Sequence, residues 1–237
     1  LIMITINNIH KRFGDLQVLE GINMSSLKNG IFAILGPNGS GKTTLIKCIL
    51  GMVIPENGTI QINNENIIGK WQYRQNISYM SQISNFPPNI TINELIKLIK
   101  TMRLNKTKEK EIIEMFDLNT SLDKKFSTLS GGTKQKVNIM LTFMSDSPII
   151  ILDEPTTGLD PLALIKFKQL LLKEKGKGKI IIITSHIINL IEEIADNIVF
   201  ILEGKVFFNG TITKLKETTK MQSLEYAIAK IIKKENV

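Results

Sequence analysis

Two kinds of apolar pattern alternate along the chain. Short continuous runs, Ile149 to Leu152 and Ile180 to Ile183, have the length of strands buried on both faces. Helical spacing recurs through Leu45, Ile49 and Leu50, closing near Gly51, and again over about Leu162 to Glu174 and Ile187 to Asp196. Before Gly36 the pattern predicts short strands at Met3–Ile6, Gln17–Ile22 and Gly30–Leu35, with Phe13-Gly14-Asp15 as a turn; Gly58–Ile62 reads as another strand. From Asn76 the character shifts. Thr91 and Glu94 form a capping box that opens a helix with Leu95, Leu98, Ile99 and Met102 on one face. Helices over about Lys106–Phe116 and Thr133–Met144 follow, and this insertion ends at Asp146-Ser147-Pro148. A strand at Lys179–Thr184, a hairpin around Glu203-Gly204-Lys205 and a helical end complete the pattern. Strands alternating with helices predict an α/β fold around a mostly parallel sheet.

Composition narrows the class. With 43% hydrophobic and 22% charged residues over 237 positions, the chain reads as globular, and a disordered tail, a collagen-like rod and a disulfide scaffold are excluded. The single cysteine, Cys48, cannot pair within the chain, and with only His10 and His186 beside it there are too few soft ligands for zinc. No apolar run nears the ~20 residues of a spanning helix, and the first residues lack a basic segment followed by a long apolar one, so neither a membrane span nor a secretory signal is expected.

The net charge of +8 is almost all lysine, since Arg12, Arg74 and Arg103 are the only arginines. Such an excess fits nucleic acid, a phospholipid surface or nucleotide phosphates as partner, or simply a solvated surface. With aromatics at 6%, lysines make a poor base-stacking surface.

One segment assigns a single lysine of that excess to phosphate chemistry. Gly36-Pro37-Asn38-Gly39-Ser40-Gly41-Lys42-Thr43, followed by Thr44, matches G-x-x-x-x-G-K-[ST] between a predicted strand and a predicted helix. Its glycines let backbone N–H groups turn inward around phosphate oxygens, and the helix N-terminus adds partial positive charge. Lys42 would reach the β- and γ-phosphates, and the Thr43 hydroxyl would ligate Mg²⁺. Downstream, the run Ile149 to Leu152 delivers Asp153 and Glu154 at a strand end, where ligands bind in open parallel sheets. Asp153 would hold the Mg²⁺ shell, and Glu154 would polarise an attacking water.

Leu129-Ser130-Gly131-Gly132-Thr-Lys-Gln-Lys136 makes this phosphate-loop chain specific. The sequence closely resembles the nucleotide-binding subunits of ATP-binding cassette (ABC) transporters from Met3 to about Lys216, with every motif in order. The resemblance implies a P-loop NTPase core of RecA type, with an N-terminal antiparallel β-subdomain and an inserted α-helical subdomain. Within one ABC domain over 1–237, residues 1–82 and 147–216 would form the core with its β-subdomain. Residues 83–146 would form the helical part and 217–237 a helical tail. It also places Phe13 where the family stacks an aromatic on adenine, Gln82 at the glutamine loop touching Mg²⁺ or water, and His186 at the γ-phosphate. Ser130, Gly131 and Gly132 would form an anion nest that closes over the phosphate held by a second subunit arranged head to tail, with Asp160 positioning groups across that interface. Two departures stand out: Lys136 where the family often has arginine, and Leu164 where related exporters often carry one.

The implied cofactors are ATP and Mg²⁺. The implied partners are a second nucleotide-binding subunit, as homo- or heterodimer, and a separate transmembrane permease, at the cytoplasmic face of the cell membrane. No nucleic acid is expected. A soluble ABC ATPase, such as an iron–sulfur assembly subunit, is the alternative. Gly158-Leu-Asp-Pro161 and the segment Asn85 to Thr91 resemble single-cassette bacterial exporters, and no large C-terminal regulatory domain fits after Thr211. Ile83, Phe86, Pro87, Pro88 and Ile90 could line a groove for the permease or fill the helical part's own core. The C-terminal Leu224, Ile228, Ile231 and Ile232, with Lys230, Lys233 and Lys234, form an amphipathic basic helix that could meet a membrane or pack on its own domain. Cys48 reads as a buried free thiol without a role.

Overall fold

The computed structural model describes residues 2–83, 85–102 and 107–235, with side chains described for all of these except 25, 26, 234 and 235. The expected helix start at Lys106 and the Lys234 side chain therefore lie outside the described residues.

Two sheets organise the chain. A four-stranded antiparallel sheet is built from β1 (Ile4–Phe13), β2 (Leu16–Leu27), β4 (Asn57–Ile62) and β5 (Glu65–Asn66), in the order β2-β1-β4-β5. β1 and β2 are longer than the sequence pattern suggests. Asn8, at φ 50°, bulges β1, so that Ile6 and Ile9 both reach the core although they are three positions apart.

The second sheet has six strands: β3 (Gly30–Leu35), β6 (Ile77–Met80), β7 (Ile149–Asp153), β8 (Ile180–Thr184), β9 (Asn197–Leu202) and β10 (Lys205–Gly210). Their order is β10-β9-β3-β8-β7-β6, parallel except for the β9–β10 hairpin. β6 is a strand that the sequence pattern did not mark. It is an edge strand of the main sheet, held by its pairing with β7.

Side chains sort by alternation onto the two faces of this sheet. Ile149, Ile151, Ile180 and Ile182 meet α1 (Lys42–Ile49) and the antiparallel sheet on one side. Ile150, Leu152, Ile181 and Ile183 meet the other helices on the opposite side: α2 (Ile92–Met102), α3 (Glu109–Met115), α4 (Gly131–Phe143), α5 (Pro161–Gly176), α6 (Ile188–Ile194), α7 (Ile212–Thr219) and α8 (Leu224–Glu235). Strands covered on both faces need no polar alternation, which is why they read as unbroken isoleucine runs.

Between β6 and β7 lie α2, α3 and α4. The capping box forms at α2: the Thr91 N–H donates to Glu94 Oε2 at 2.8 Å, and the Glu94 N–H donates back to Thr91 Oγ1 at 3.3 Å. The buried face of α2 differs from the expected one. Ile92, Leu95 and Ile96 are buried and Ile99 packs against the core, whereas Leu98 and Met102 are exposed. α8 packs on its own domain through Leu224, Ala227 and Ile228, with Ile231 and Ile232 against the same core. Its apolar face is therefore occupied, and the membrane alternative for it falls away. Among the described residues, no helix is long and apolar enough to cross a membrane.

Candidate functional site

Four parallel strands deliver polar loops to one edge of the sheet. β3 ends in the phosphate loop at Gly36, β7 in Asp153-Glu154, β8 in Thr184-Ser185-His186, and β6 leads to Gln82. These carboxyl ends enclose an open cleft of about 470 Å³ whose lining includes Asn38 to Thr44, Gln82, Asp153, Glu154 and His186. Residues as far apart as Asn38 and His186 thus share one site because parallel crossovers return every strand to the same edge.

The phosphate loop is shaped by its walls. A Cβ on Gly36, at φ 151°, would overlap the Ile201 carbonyl of β9, and one on Gly41, at φ 103°, would stand 2.7 Å from Leu19 Cδ2 and 2.8 Å from Val18 O. Only glycine fits either place. Gly41 leads into α1, whose first N–H groups have no acceptor within the helix. Lys42 is buried and donates to the Gly36 and Pro37 carbonyls at 2.7 and 2.9 Å, which curls the loop around its ammonium. Burial lowers its pKa, opposed by the charges of Glu154 and Asp153.

The acidic pair is held asymmetrically. Asp153 accepts from Thr43 Oγ1 at 3.1 Å through Oδ2 and from Thr184 Oγ1 at 2.7 Å through Oδ1. Glu154 has a left-handed backbone, φ 51°, a strained conformation for a residue other than glycine. Its N–H donates to Thr184 Oγ1 at 2.9 Å and to the Thr184 carbonyl at 3.2 Å. His186 Nε2 lies 3.1 Å from Glu154 Oε1. Burial raises the Glu154 pKa above the ordinary carboxylate range, partly offset by His186 and Lys42. A buried carboxylate with a raised pKa, beside a cation and at the mouth of a cleft, is equipped to take a proton from water.

The residues present fit a hard divalent cation with a phosphate. Thr43 and Asp153 offer oxygens at hydrogen-bond distance from each other, and α1 presents free N–H groups beside them. Among the described residues, no group of three or more His, Cys, Asp or Glu side chains could bind a metal by itself. Mg²⁺ takes few protein ligands and completes its shell with phosphate and water.

Other expected residues sit differently. Phe13 is half exposed at the tip of the β1–β2 hairpin, with Lys11 Nζ 5.1 Å from its ring centroid. Its cross-strand partner Leu16, and Val18, line the cleft, whereas Phe13 stands outside that lining. Ser130 caps α4, its Oγ accepting from the Thr133 N–H at 3.2 Å, and Gly131 is open to solvent. Ser130, Gly131 and Gly132 do not line this chain's cleft. Asp160, expected to act across an interface, is engaged within the chain. It caps α5 by accepting from the Ala163 N–H at 2.8 Å and pairs with Lys136 at 2.8 Å. The lysine in place of arginine thus keeps a contact through one ammonium, without a guanidinium fork.

Sequence reasoning missed three supports. Thr184 touches both acidic residues. Gln135 Nε2 donates to the Pro155 carbonyl at 2.7 Å, and Asn138 Nδ2 to the Ser81 carbonyl at 3.5 Å. The last two tie α4 to the loop after Glu154 and to the loop carrying Gln82. Each acts on backbone far away in sequence, so no local signature could mark them.

Comparison with known proteins agrees with this geometry. A family model described as "ABC transporter" matches residues 19–157, more than half of the chain. The Nod factor export ATP-binding protein I of Burkholderia lata is 32% identical over 221 residues, covering 91% of this chain and 73% of that protein. The lantibiotic transport ATP-binding protein SrtF of Streptococcus pyogenes is 30% identical over 208 residues, covering 86% of this chain and 89% of that one. Among solved structures, an ATP-binding subunit of an ABC transporter superposes with a TM-score of 0.89 at 27% identity, covering 97% of this chain and 99% of that chain. A dimeric ATP-binding cassette in a post-hydrolysis state with ADP and Pi gives a TM-score of 0.78 at 27% identity, covering 88% of this chain and 98% of that chain.

Proposed function

This chain belongs to the ABC transporter family, and from that premise we propose that it is the ATP-hydrolysing subunit of an exporter. The single observation that carries the reading is the convergence of the phosphate loop, Asp153, Glu154 and His186 on one cleft. The loop N–H groups and Lys42 bind the β- and γ-phosphates. Thr43 and Asp153, with Gln82 nearby, would hold Mg²⁺, which would neutralise phosphate charge when bound. Glu154 takes a proton from the attacking water while His186 steadies the γ-phosphate. Water oxygen bonds to the γ-phosphorus, the bond to the bridging oxygen breaks, and ADP leaves with inorganic phosphate. Phe13 and Leu16 at the hairpin tip offer apolar surface to the base.

Two copies arranged head to tail complete each site. Support comes from Ser130, Gly131 and Gly132, which lie outside their own cleft at an uncovered helix N-terminus, free to meet the phosphate of a second copy. The names of the relatives, for Nod factor export and lantibiotic transport, favour transport over a soluble ATPase. The permease would contact the surface after Gln82, at the cytoplasmic face of the membrane. There Phe86 and Ile90 pack into the core while Ile83, Pro87 and Pro88 stay exposed. Beside them, Phe86, Ile99 and Met102 line a groove of about 240 Å³. Surface lysines such as Lys166, Lys173 and Lys175 are paired with Asp117, Glu111 and Asp196, which supports a solvated surface over a nucleic-acid site.

Affinity purification of the tagged chain from detergent-solubilised membranes tests the reading. A multi-spanning protein is expected to come with it, and to be lost when Ile83 and Met102 are changed to aspartate. Recovery of no multi-spanning protein would overturn the transport reading.

A further inference from the structure

Thr184 ends a strand of four isoleucines, at a fully buried position that a fifth aliphatic residue would fill equally well. Its hydroxyl instead makes two contacts that matter for the cleft. It donates to Asp153 Oδ1, which leaves Oδ2 turned toward Thr43, and it accepts the N–H of Glu154 just where that backbone adopts its left-handed turn. The strand register brings this about, since Asp153 pairs with Thr184 across β7 and β8. The same residue is the last of β8 before the chain departs through Ser185 to His186. One hydroxyl therefore touches the proposed Mg²⁺ carboxylate and the backbone of the proposed base, and sits at the root of the loop presenting His186.

We propose that Thr184 is a positioning residue for ATP hydrolysis, orienting Asp153 toward Thr43 and fixing the turn that aims Glu154 into the cleft. This rests on the MgATP reading given above. A hydroxyl is needed because the position must donate on one side and accept on the other. Valine preserves the volume but offers neither function, whereas serine keeps both.

The experiment uses the full chain with Thr184→Val and Thr184→Ser beside wild type. It measures steady-state ATP turnover, binding of a fluorescent ATP analogue as a function of Mg²⁺, and thermal unfolding. For Thr184→Val the expectation is a kcat lower by about tenfold or more and a Mg²⁺ half-saturation for analogue binding raised by about tenfold. KM for ATP and analogue binding without Mg²⁺ should stay within about twofold of wild type, because the phosphate loop is untouched. Thr184→Ser should restore both kcat and the Mg²⁺ dependence. A Thr184→Val protein with wild-type kcat and Mg²⁺ half-saturation would overturn the inference. So would a Thr184→Ser protein as defective as Thr184→Val. A wild-type chain without Mg²⁺-dependent turnover would instead remove the functional reading on which the inference stands.

Discussion

Two glutamates, both buried, sit at opposite ends of the parallel sheet, and their surroundings give them opposite characters. Glu154, beyond the carboxyl end of β7, has His186 and Lys42 beside it, and burial pushes its pKa up. Glu174, near the end of α5 below the amino end of β8, is ringed by Lys108, Lys177 and Lys179, with Lys179 also on Asp146 at 2.5 Å. Burial acts to raise its pKa too, but hydrogen bonds from the three lysines outweigh it and hold the carboxyl at about 2. Burial alone therefore does not mark a reactive carboxylate. What separates the two is how far the charge is compensated. The first stays poised to accept a proton. The second joins the start of α3 to α5 and β8.

The sharpest way to break this contrast is to neutralise each glutamate in turn. Glu154→Gln should slow ATP hydrolysis by about 10²- to 10⁴-fold in a steady-state phosphate-release assay. The protein should then accumulate as an ATP-bound dimer, visible by light scattering. Undiminished turnover would remove Glu154 as the base. In wild type, water activation needs the ionised carboxylate, so the rate should fall as pH drops through a pKa above the usual carboxylate range.

Glu174→Gln should behave in the opposite way, leaving chemistry nearly intact while lowering stability at neutral pH by about 3 kcal/mol, from a pKa depressed from 4.5 to about 2. For a chain of this size that is a fall in Tm of about 6–12 °C. Because the folded pKa is lowered, the contribution is fully present above the unfolded value near 4.5 and is lost as pH falls toward about 2. The Tm gap between Glu174→Gln and wild type should therefore close on acidification through that window, read by calorimetry. For Glu154 the sign reverses. Its raised pKa makes the buried charge a cost above pH ~4.5, so Glu154→Gln should not lower Tm at neutral pH.

A smaller effect grades the lysines around Glu174. Lys177 has a 40% exposed side chain, whereas Lys179 is only 7% exposed. Lys177→Met should cost within about 1 kcal/mol, and Lys179→Met clearly more, since it strands Glu174 Oε2 and Asp146 together. Equal costs in urea unfolding would mean that burial does not set the strength of this cluster.

The contrast also explains what could be read from the chain alone. The phosphate loop, Asp153-Glu154 and Ser130-Gly131-Gly132 are legible because each acts through contiguous residues beside a recognisable strand or helix. Thr184 and the Glu174 cluster are not. Thr184 owes its contacts to strand register, and Lys108, Asp146, Glu174 and Lys179 converge from separate segments. β6 was missed for a related reason. Its four residues, Ile77-Ser-Tyr-Met80, are too few to set a period, and pairing with β7 makes them a strand. On α2 the helix was legible but its buried face was not, since Leu98 and Met102 are apolar and still exposed.

The central claim, that the loop from Gly36 to Thr43 holds ATP while Glu154 acts only on its hydrolysis, is tested most directly by one equilibrium titration. A fluorescent ATP analogue with Mg²⁺ is titrated into Lys42→Ala and Glu154→Gln side by side. Glu154→Gln should bind at wild-type affinity or tighter, and Lys42→Ala at least about tenfold more weakly, having lost its charged contact to the phosphates. Equal affinity in the two proteins would contradict the account.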